Sequence, residues 1–320
     1  AIGSKARKDP KRVVFADAEN VKVLKAAQLA YEEGIAYPIL LGDEKTIREK
    51  AEANAVDLEG IPVLDPKSKE QEEMRQKFGE QFFQKRQRKG LNRYEAAKAM
   101  KERTHFGCMM VETGEADAMI SGVTRPYGQT LREVKRVMDP AAGRTPFGIH
   151  VMVTKDKTVF LADTTVHERP SASELADIAE GTVAVARRMG HDPRVAFLSY
   201  SNFGNPPGAF LDNVRDAVKL LDQRDVDFEY EGEMTPDAAL NPTVMKNYPF
   251  SRLSGPANVL VMPGLQSANI SAKLLRELGG TSMIGPVLVG MEKSVQIATM
   301  SSNASELLTL AVLAAGGIAL

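Results

Sequence analysis

The sequence predicts an α/β protein of two lobes, each a parallel sheet flanked by helices. Three observations carry this expectation. A chain of 320 residues exceeds what one hydrophobic core usually organises. Short runs rich in valine, isoleucine, leucine and phenylalanine alternate with stretches whose apolar residues recur at helical spacing. Successive strands are separated by enough chain for a crossover helix, and such connections return the next strand parallel to the last.

The elements follow in order. The opening AIGSKARKDPKR is basic and without apolar period, so residues 1–11 read as an interdomain linker or appended remnant. RVVFADAE is a strand, Asn20 to Glu33 a helix, PILLGD a strand, Asp43 the cap of a helix to about Asn54, and IPVLD a third strand. Lys67 to Thr113 is helical and heavily charged, broken at Gly90, restarted by the capping pair Asn92 and Glu95, and ended near Gly114. ADAMISG is a strand, QTLREVKRVM a helix, and the run from Ala141 to Thr164 two strands around the turn Lys155-Asp156-Lys157. A second lobe then alternates the helix ELADIAEGTVAVARRMG, the strand RVAFLSYS, the helix AFLDNVRDAVKLLDQ and the strands DFEYEGE and ANVLVMPG. The helix NISAKLLRELGG, the strands GPVLVGM and VQIATM, and an apolar terminal helix complete the chain.

Composition narrows the function. A net charge of -1 gives no global basic field to hold nucleic acid or an anionic membrane. The single cysteine, Cys108, excludes an internal disulfide framework and a cysteine-rich zinc site, and suits a reducing cytoplasm. The histidines His105, His150, His167 and His191 fall at no metal-ligand spacing, so no metal site is expected. The most apolar run, LLTLAVLAAGGIAL, is shorter than the ~20 residues of a membrane-spanning helix. It reads as a buried helix that its own lobe and a second subunit cover, predicting a two-fold dimer.

Ligands of open parallel sheets bind beyond the carboxyl ends of strands, where helix N-termini present free N–H groups. Four such ends run into loops of small and polar residues: SGVTRPYGQTLR, DTTVHERPSASEL, LSYSNFGNPPG and TMSSNASEL. A phosphorylated ligand fits that chemistry, although Ser171 with Glu174 and Asn303 with Glu306 also fit capping boxes that need no ligand. No GxGxxG turn, Walker A sequence or GxSxG elbow occurs, so a nicotinamide site within this chain is not expected.

These loops resemble the phosphotransacetylase family. SGVTRPYGQTLREV, FLADTTVHERPSASELADIAEGT, PRVAFLSYSNFGN, YEGEMTPDAALNP and the block from ANVLVMPG to KSVQI are similar to family segments and follow in family order. The resemblance implies two α/β domains with parallel sheets flanked by helices, a cleft between them, and a chain that returns to the first domain at its end. It places residues 12–145 with 297–320 in the first domain and 146–296 in the second. It also implies acetyl transfer between CoA sulfur and phosphate, with arginines holding anions and a C-terminal Ser-Arg-Gly loop followed by an aspartate. Arg86 and Arg132 fall on family arginines, whose fork suits phosphoryl oxygen. The other candidate ligand residues are Ser121, Ser199, Ser201, Asn269, Lys273 and Thr299.

In the C-terminal loop Thr299 stands at the family serine, Met300 at the arginine, Ser301 at the glycine and Glu306 at the aspartate. Thr299 and Glu306 are therefore the family-position catalytic candidates. A thioether offers no donor for phosphate or a developing oxyanion, so transfer is not expected whereas CoA binding is. Phe203 and Met300 are expected as apolar wall for pantetheine. VDFEYEGEM and the run from YPFSRLSG to KSVQI are most similar to the phosphotransacetylase-like domain fused behind the catalytic half of hybrid bacterial NADP-dependent malic enzymes. That implies an acetyl-CoA-binding, oligomerising regulator whose parent decarboxylates malate, with NADP and a divalent metal held only in the catalytic half. An active phosphate acetyltransferase and a purely structural dimerisation module are the alternatives.

Overall fold

The computed structural model describes residues 2–280 and 282–318; Ala1 of the expected linker and Ala319–Leu320 of the apolar run lie outside the described residues. The chain divides into two compact units, with breaks after Ala142 and after Gly290. The first unit holds a sheet of β1 (Lys11–Phe15), β2 (Ala36–Leu41), β3 (Val63–Leu64), β4 (Ala118–Ser121) and, from the chain's return, a strand Ser294–Ile297. The second holds β5 (Phe147–Val153), β6 (Thr158–Ala162), β7 (Arg194–Leu198), β8 (Glu229–Met234), β9 (Val259–Val261) and β10 (Ser282–Val289); the return strand is β11.

The first sheet has the order β11-β4-β1-β2-β3 and every pair is parallel. Its strands are nearly continuous apolar runs because helices cover both faces. The second sheet has the order β10-β5-β6-β9-β7-β8. Here β6, β9, β7 and β8 are parallel, whereas β5 pairs antiparallel with both β6 and β10, so the wholly parallel expectation gives way to a mixed sheet. The cause is the tight turn at Lys155-Asp156-Lys157, closed by the Thr154 amide on the Lys157 carbonyl, which leaves no room for a crossover.

Three boundaries differ from the sequence reading. β11 pairs with β4, so the return to the first unit precedes residue 297 and falls after Gly290. The basic N-terminal segment is ordered onto the first unit: Ile2–Lys8 is a helix whose Ala6 is buried, and Lys5 donates to the Gly316 carbonyl at 3.4 Å. The charged region after Lys67 breaks again before Arg103, because the Glu102 side chain caps the helix Arg103–Glu112 through the Thr104 and His105 amides. The terminal helix Ala304–Ala315 buries Leu307, Leu310, Ala311 and Leu313 against β11, β4 and the helix Val21–Glu32. Its apolar surface is thus covered within its own unit.

No described helix is long and apolar enough to cross a membrane.

Candidate functional site

In the first unit all five strands end on one edge, and the chain order reverses between β1 and β4. Such a reversal opens a crevice at the carboxyl ends. Asp17, two residues beyond β1, fills its floor and is only 4% exposed. Its Oδ2 accepts the Gly122 amide at 2.7 Å and the Val123 amide at 3.0 Å. Its Oδ1 accepts Arg103 Nε at 2.9 Å and Thr124 Oγ1 at 3.0 Å. Gly122 is required here, since its φ is +115° and a Cβ would meet the Ala298 carbonyl oxygen at 2.5 Å. Asp17 therefore holds the loop after β4 in the manner of a bound anion, and the ion pair with Arg103 compensates its burial.

The loop after β11 lies beside it, joined by the Ala298 amide to the Ser121 carbonyl. The Thr299 hydroxyl lies 3.1 Å from both the Ser301 and Ser302 hydroxyls, and the Thr299 amide donates to Ser302 Oγ. Met300 is exposed, and Lys22 Nζ reaches its carbonyl at 3.4 Å. Glu306 closes the capping box with Asn303, its Oε2 accepting the Asn303 amide at 2.9 Å. Farther along, Arg125 pairs with Glu133 and Glu102. Burial pushes the Glu102 carboxyl up, but the hydrogen bonds from His105 and Arg125 outweigh it and hold its pKa at about 2.

Two expected ligand residues in this unit are otherwise engaged. Arg86 is buried; it donates Nε to the Arg136 carbonyl at 2.7 Å and a terminal nitrogen to the Val137 carbonyl at 3.0 Å, and pairs with Asp139 at 2.8 Å. It caps the carboxyl end of the helix Tyr127–Val137, the end away from the β4 loop, and its fork is occupied. Ser121 ends β4 pointing into the core, 3.2 Å from the Thr104 hydroxyl. Arg132 lies exposed on the helix Tyr127–Val137.

In the second unit the parallel strands β6, β9, β7 and β8 likewise end together. Asp163 follows β6 and is buried; it accepts the amides of Gly148, Thr165, Val166 and His167 and contacts His167 Nδ1 at 2.6 Å. Burial raises its pKa, yet His167 and these amides hold it below the usual carboxylate range. His150 Nδ1 lies 2.6 Å from Thr164 Oγ1, and burial, aided by the positive charges of Arg276 and Lys273, pushes its pKa down to about 4. Asn269 donates to the Thr164 carbonyl at 3.3 Å, so Asn269 and exposed Lys273 are brought to the same strand end on the helix Leu265–Leu278.

The loop after β7 is held by Glu233, which accepts the Gly204 amide at 2.6 Å and Arg215 Nε at 2.8 Å. Phe203 adopts φ +49° there and packs against Tyr248 and Phe250. Ser199 Oγ accepts the Ser201 amide. Ser201 itself is completely buried, and its hydroxyl meets no hydrogen-bond partner among the described residues. Sequence reasoning missed the three strand-end carboxylates Asp17, Asp163 and Glu233 as organisers; the local signal is an acid after alanine at the end of an apolar run for Asp17 and Asp163, and only a Gly-Glu pair in a polar strand for Glu233. Among the described residues no group of three or more His, Cys, Asp or Glu is arranged to hold a metal ion.

Two α/β units whose Ser-, Thr- and Gly-rich loops gather at the carboxyl edges of parallel strands define a class of protein suited to a phosphorylated small molecule. The chain belongs to the phosphate acetyl/butaryl transferase family, whose model matches residues 1–315. It is 45% identical over 317 residues to the NADP-dependent malic enzyme of Rhizobium meliloti (strain 1021), covering 98% of this chain and 41% of that protein. The chain thus spans about two-fifths of the length of the curated malic enzymes it matches. It is 32% identical to the phosphate acetyltransferase of Clostridium acetobutylicum, over 91% of this chain and 89% of that one. Among solved structures it is similar to the EutD phosphotransacetylase from Staphylococcus aureus, with a TM-score of 0.88 and 28% identity over 99% of this chain and 97% of the other.

Proposed function

We propose that this chain is an acetyl-CoA-binding regulatory and oligomerisation region of a cytoplasmic NADP-dependent malic enzyme, without acetyltransferase activity of its own. The observation that carries the reading is the loop after β11. At the position of the family arginine stands Met300, whose thioether donates nothing, while Thr299 is engaged by Ser301 and Ser302 and Glu306 by its helix cap. Identity to a malic enzyme over 41% of that protein's length supports a partner catalytic portion elsewhere in the parent polypeptide. In this reading that portion holds NADP and a divalent metal and decarboxylates malate oxidatively to pyruvate, and acetyl-CoA acts from here by differential binding to two states of the assembly. Exposed Arg132 is the first unit's candidate for the CoA phosphates; Ser199, Asn269 and Lys273 are the polar candidates of the second unit.

A second reading, an active phosphate acetyltransferase, is favoured by the Clostridium similarity and by Lys22, a cation at the Met300 carbonyl. A third, a dimerisation module without ligand, predicts no response to any CoA compound. Calorimetric titration with acetyl-CoA and with CoA, beside an assay for acetyl-phosphate formation, separates the three. Acetyl-CoA binding without turnover is the expected result, and turnover approaching that of a working family member overturns it.

A further inference from the structure

The crevice floored by Asp17 carries side chains that this reading does not assign. Two hollows of about 480 and 520 Å³ adjoin over the carboxyl ends of the strands and share Glu19 and Arg103 in their walls. Each has the volume of a small-molecule site. The arginines there are already neutralised, Arg103 by Asp17 and Arg125 by Glu102 and Glu133. The lysines are not: among the described residues Lys67, Lys98 and Lys101 have no ion pair or side-chain hydrogen bond, yet all three line the larger hollow.

The facing wall has the opposite character. Glu19 accepts the Asp43 amide, Asp43 the Thr46 amide and Asp65 the Lys67 amide, at 2.8, 2.7 and 2.8 Å. These bonds fix the three carboxylates and leave them acceptor capacity toward the groove. A bare polyanion would be repelled by this wall, and a neutral sugar would leave the lysines without counter-charge. A ligand with phosphates at one end and hydroxyl or amino donors at the other satisfies both. The helices Val21–Glu32 and Glu44–Ala53 start at this edge with their N-caps Asn20 and Asp43, adding positive dipole ends.

We propose that this groove binds a phosphorylated nucleoside, its phosphates on Lys67, Lys98 and Lys101 and its ribose or base donors on Glu19 and Asp65. The chemistry is shared by a free nucleotide and by the 3′-phosphorylated nucleotide end of a CoA thioester, and the assignment stands whether or not the chain regulates a malic enzyme. The probe is adenosine 3′,5′-bisphosphate, titrated calorimetrically into the full chain at low and raised salt.

Binding that weakens with salt, and that falls at least about tenfold in Lys98→Glu/Lys101→Glu but not in Lys8→Glu, exposed before the amino end of β1 in the same unit, is the expected result. A Lys98→Gln/Lys101→Gln variant separates loss of positive charge from added repulsion and is expected to show a smaller loss. Acetyl-CoA titrated into the same variants distinguishes the sources: a parallel loss assigns the groove to the nucleotide end of CoA, and unchanged acetyl-CoA affinity assigns it to a free nucleotide. No binding of the bisphosphate to the parent chain, or equal binding to the folded charge-reversal variant, overturns the proposal. Neither of those results touches the acetyl-phosphate assay or the titration of the parent chain with acetyl-CoA, so failure here is distinct from failure of the regulatory reading.

Discussion

Arg86 illustrates how one side chain serves two different readings. In sequence it is a cation on a charged helix at a family position; in the fold it is buried and spends its fork on two helix-terminal carbonyls and Asp139. Arg86→Ala is therefore expected to cost about 2–3 kcal/mol of stability in urea unfolding, toward the lower end for a broken ion pair because Asp139 remains 38% exposed to water. Acetyl-CoA affinity is expected to stay unchanged, and a variant of parental stability with lost affinity would return Arg86 to the ligand. Arg132→Ala should behave oppositely, weakening acetyl-CoA by about 1.5–3 kcal/mol without unfolding the chain. His150 carries a pH prediction. Its folded pKa of about 4 lies below the ordinary 6.5, so the neutral form is preferred by the fold. Its contribution to stability is complete above pH 6.5 and is lost as pH falls toward 4, on the order of 3 kcal/mol. Melting temperatures across that window should fall, and His150→Gln should flatten that part of the profile. The Glu102 contribution is lost lower, between 4.5 and about 2, so the two phases are separable.

At the scale of elements, the local signals were legible and the distant ones were not. The capping boxes Asn92 with Glu95, Ser171 with Glu174 and Asn303 with Glu306 all form, because their partners are three residues apart and need no tertiary context. The four strand-end loops fall at carboxyl ends of parallel strands for the same reason, Gly, Ser and Asn marking where helical or strand period stops. The carboxylates that fix those loops were not legible, since Asp17 meets Gly122 across a separation of 105 positions in the chain. Nor was the N-terminal helix, whose short basic stretch has no apolar period and is stabilised by its contact with the helix Ala304–Ala315. Asp17→Ala leaves Arg103 and two loop amides without their acceptor, and about 3–5 kcal/mol of destabilisation is expected. Hydrogen exchange should locate the damage: the Gly122 and Val123 amides should lose protection well before those of β1, and uniform loss across the unit would assign Asp17 a global role instead.

For the whole molecule, the division into two units followed from length and alternation, but the boundary at the chain's return did not. VQIATM looks like any buried strand, and only its pairing with β4 assigns it to the first sheet. The same tertiary fact removes the original ground for a dimer, because the apolar terminal helix is covered by its own unit. A different surface supports self-association. On the helix Leu265–Leu278 the residues Ile270, Leu274 and Leu278 stand at i, i+4 and i+8 on one face and are 51%, 54% and 80% exposed. A second copy related by a two-fold axis would bring this stripe against itself, and closed two-fold pairing is the commonest homo-oligomeric arrangement. An exposed apolar row of this length otherwise costs solubility. Sedimentation equilibrium at micromolar concentration should therefore give twice the 34.8 kDa chain mass for the parent. Leu274→Glu/Leu278→Glu, which changes exposed positions only, should give a folded monomer. A monomeric parent would end the proposal of self-association, and a dimer that survives the double substitution would move the interface to another face.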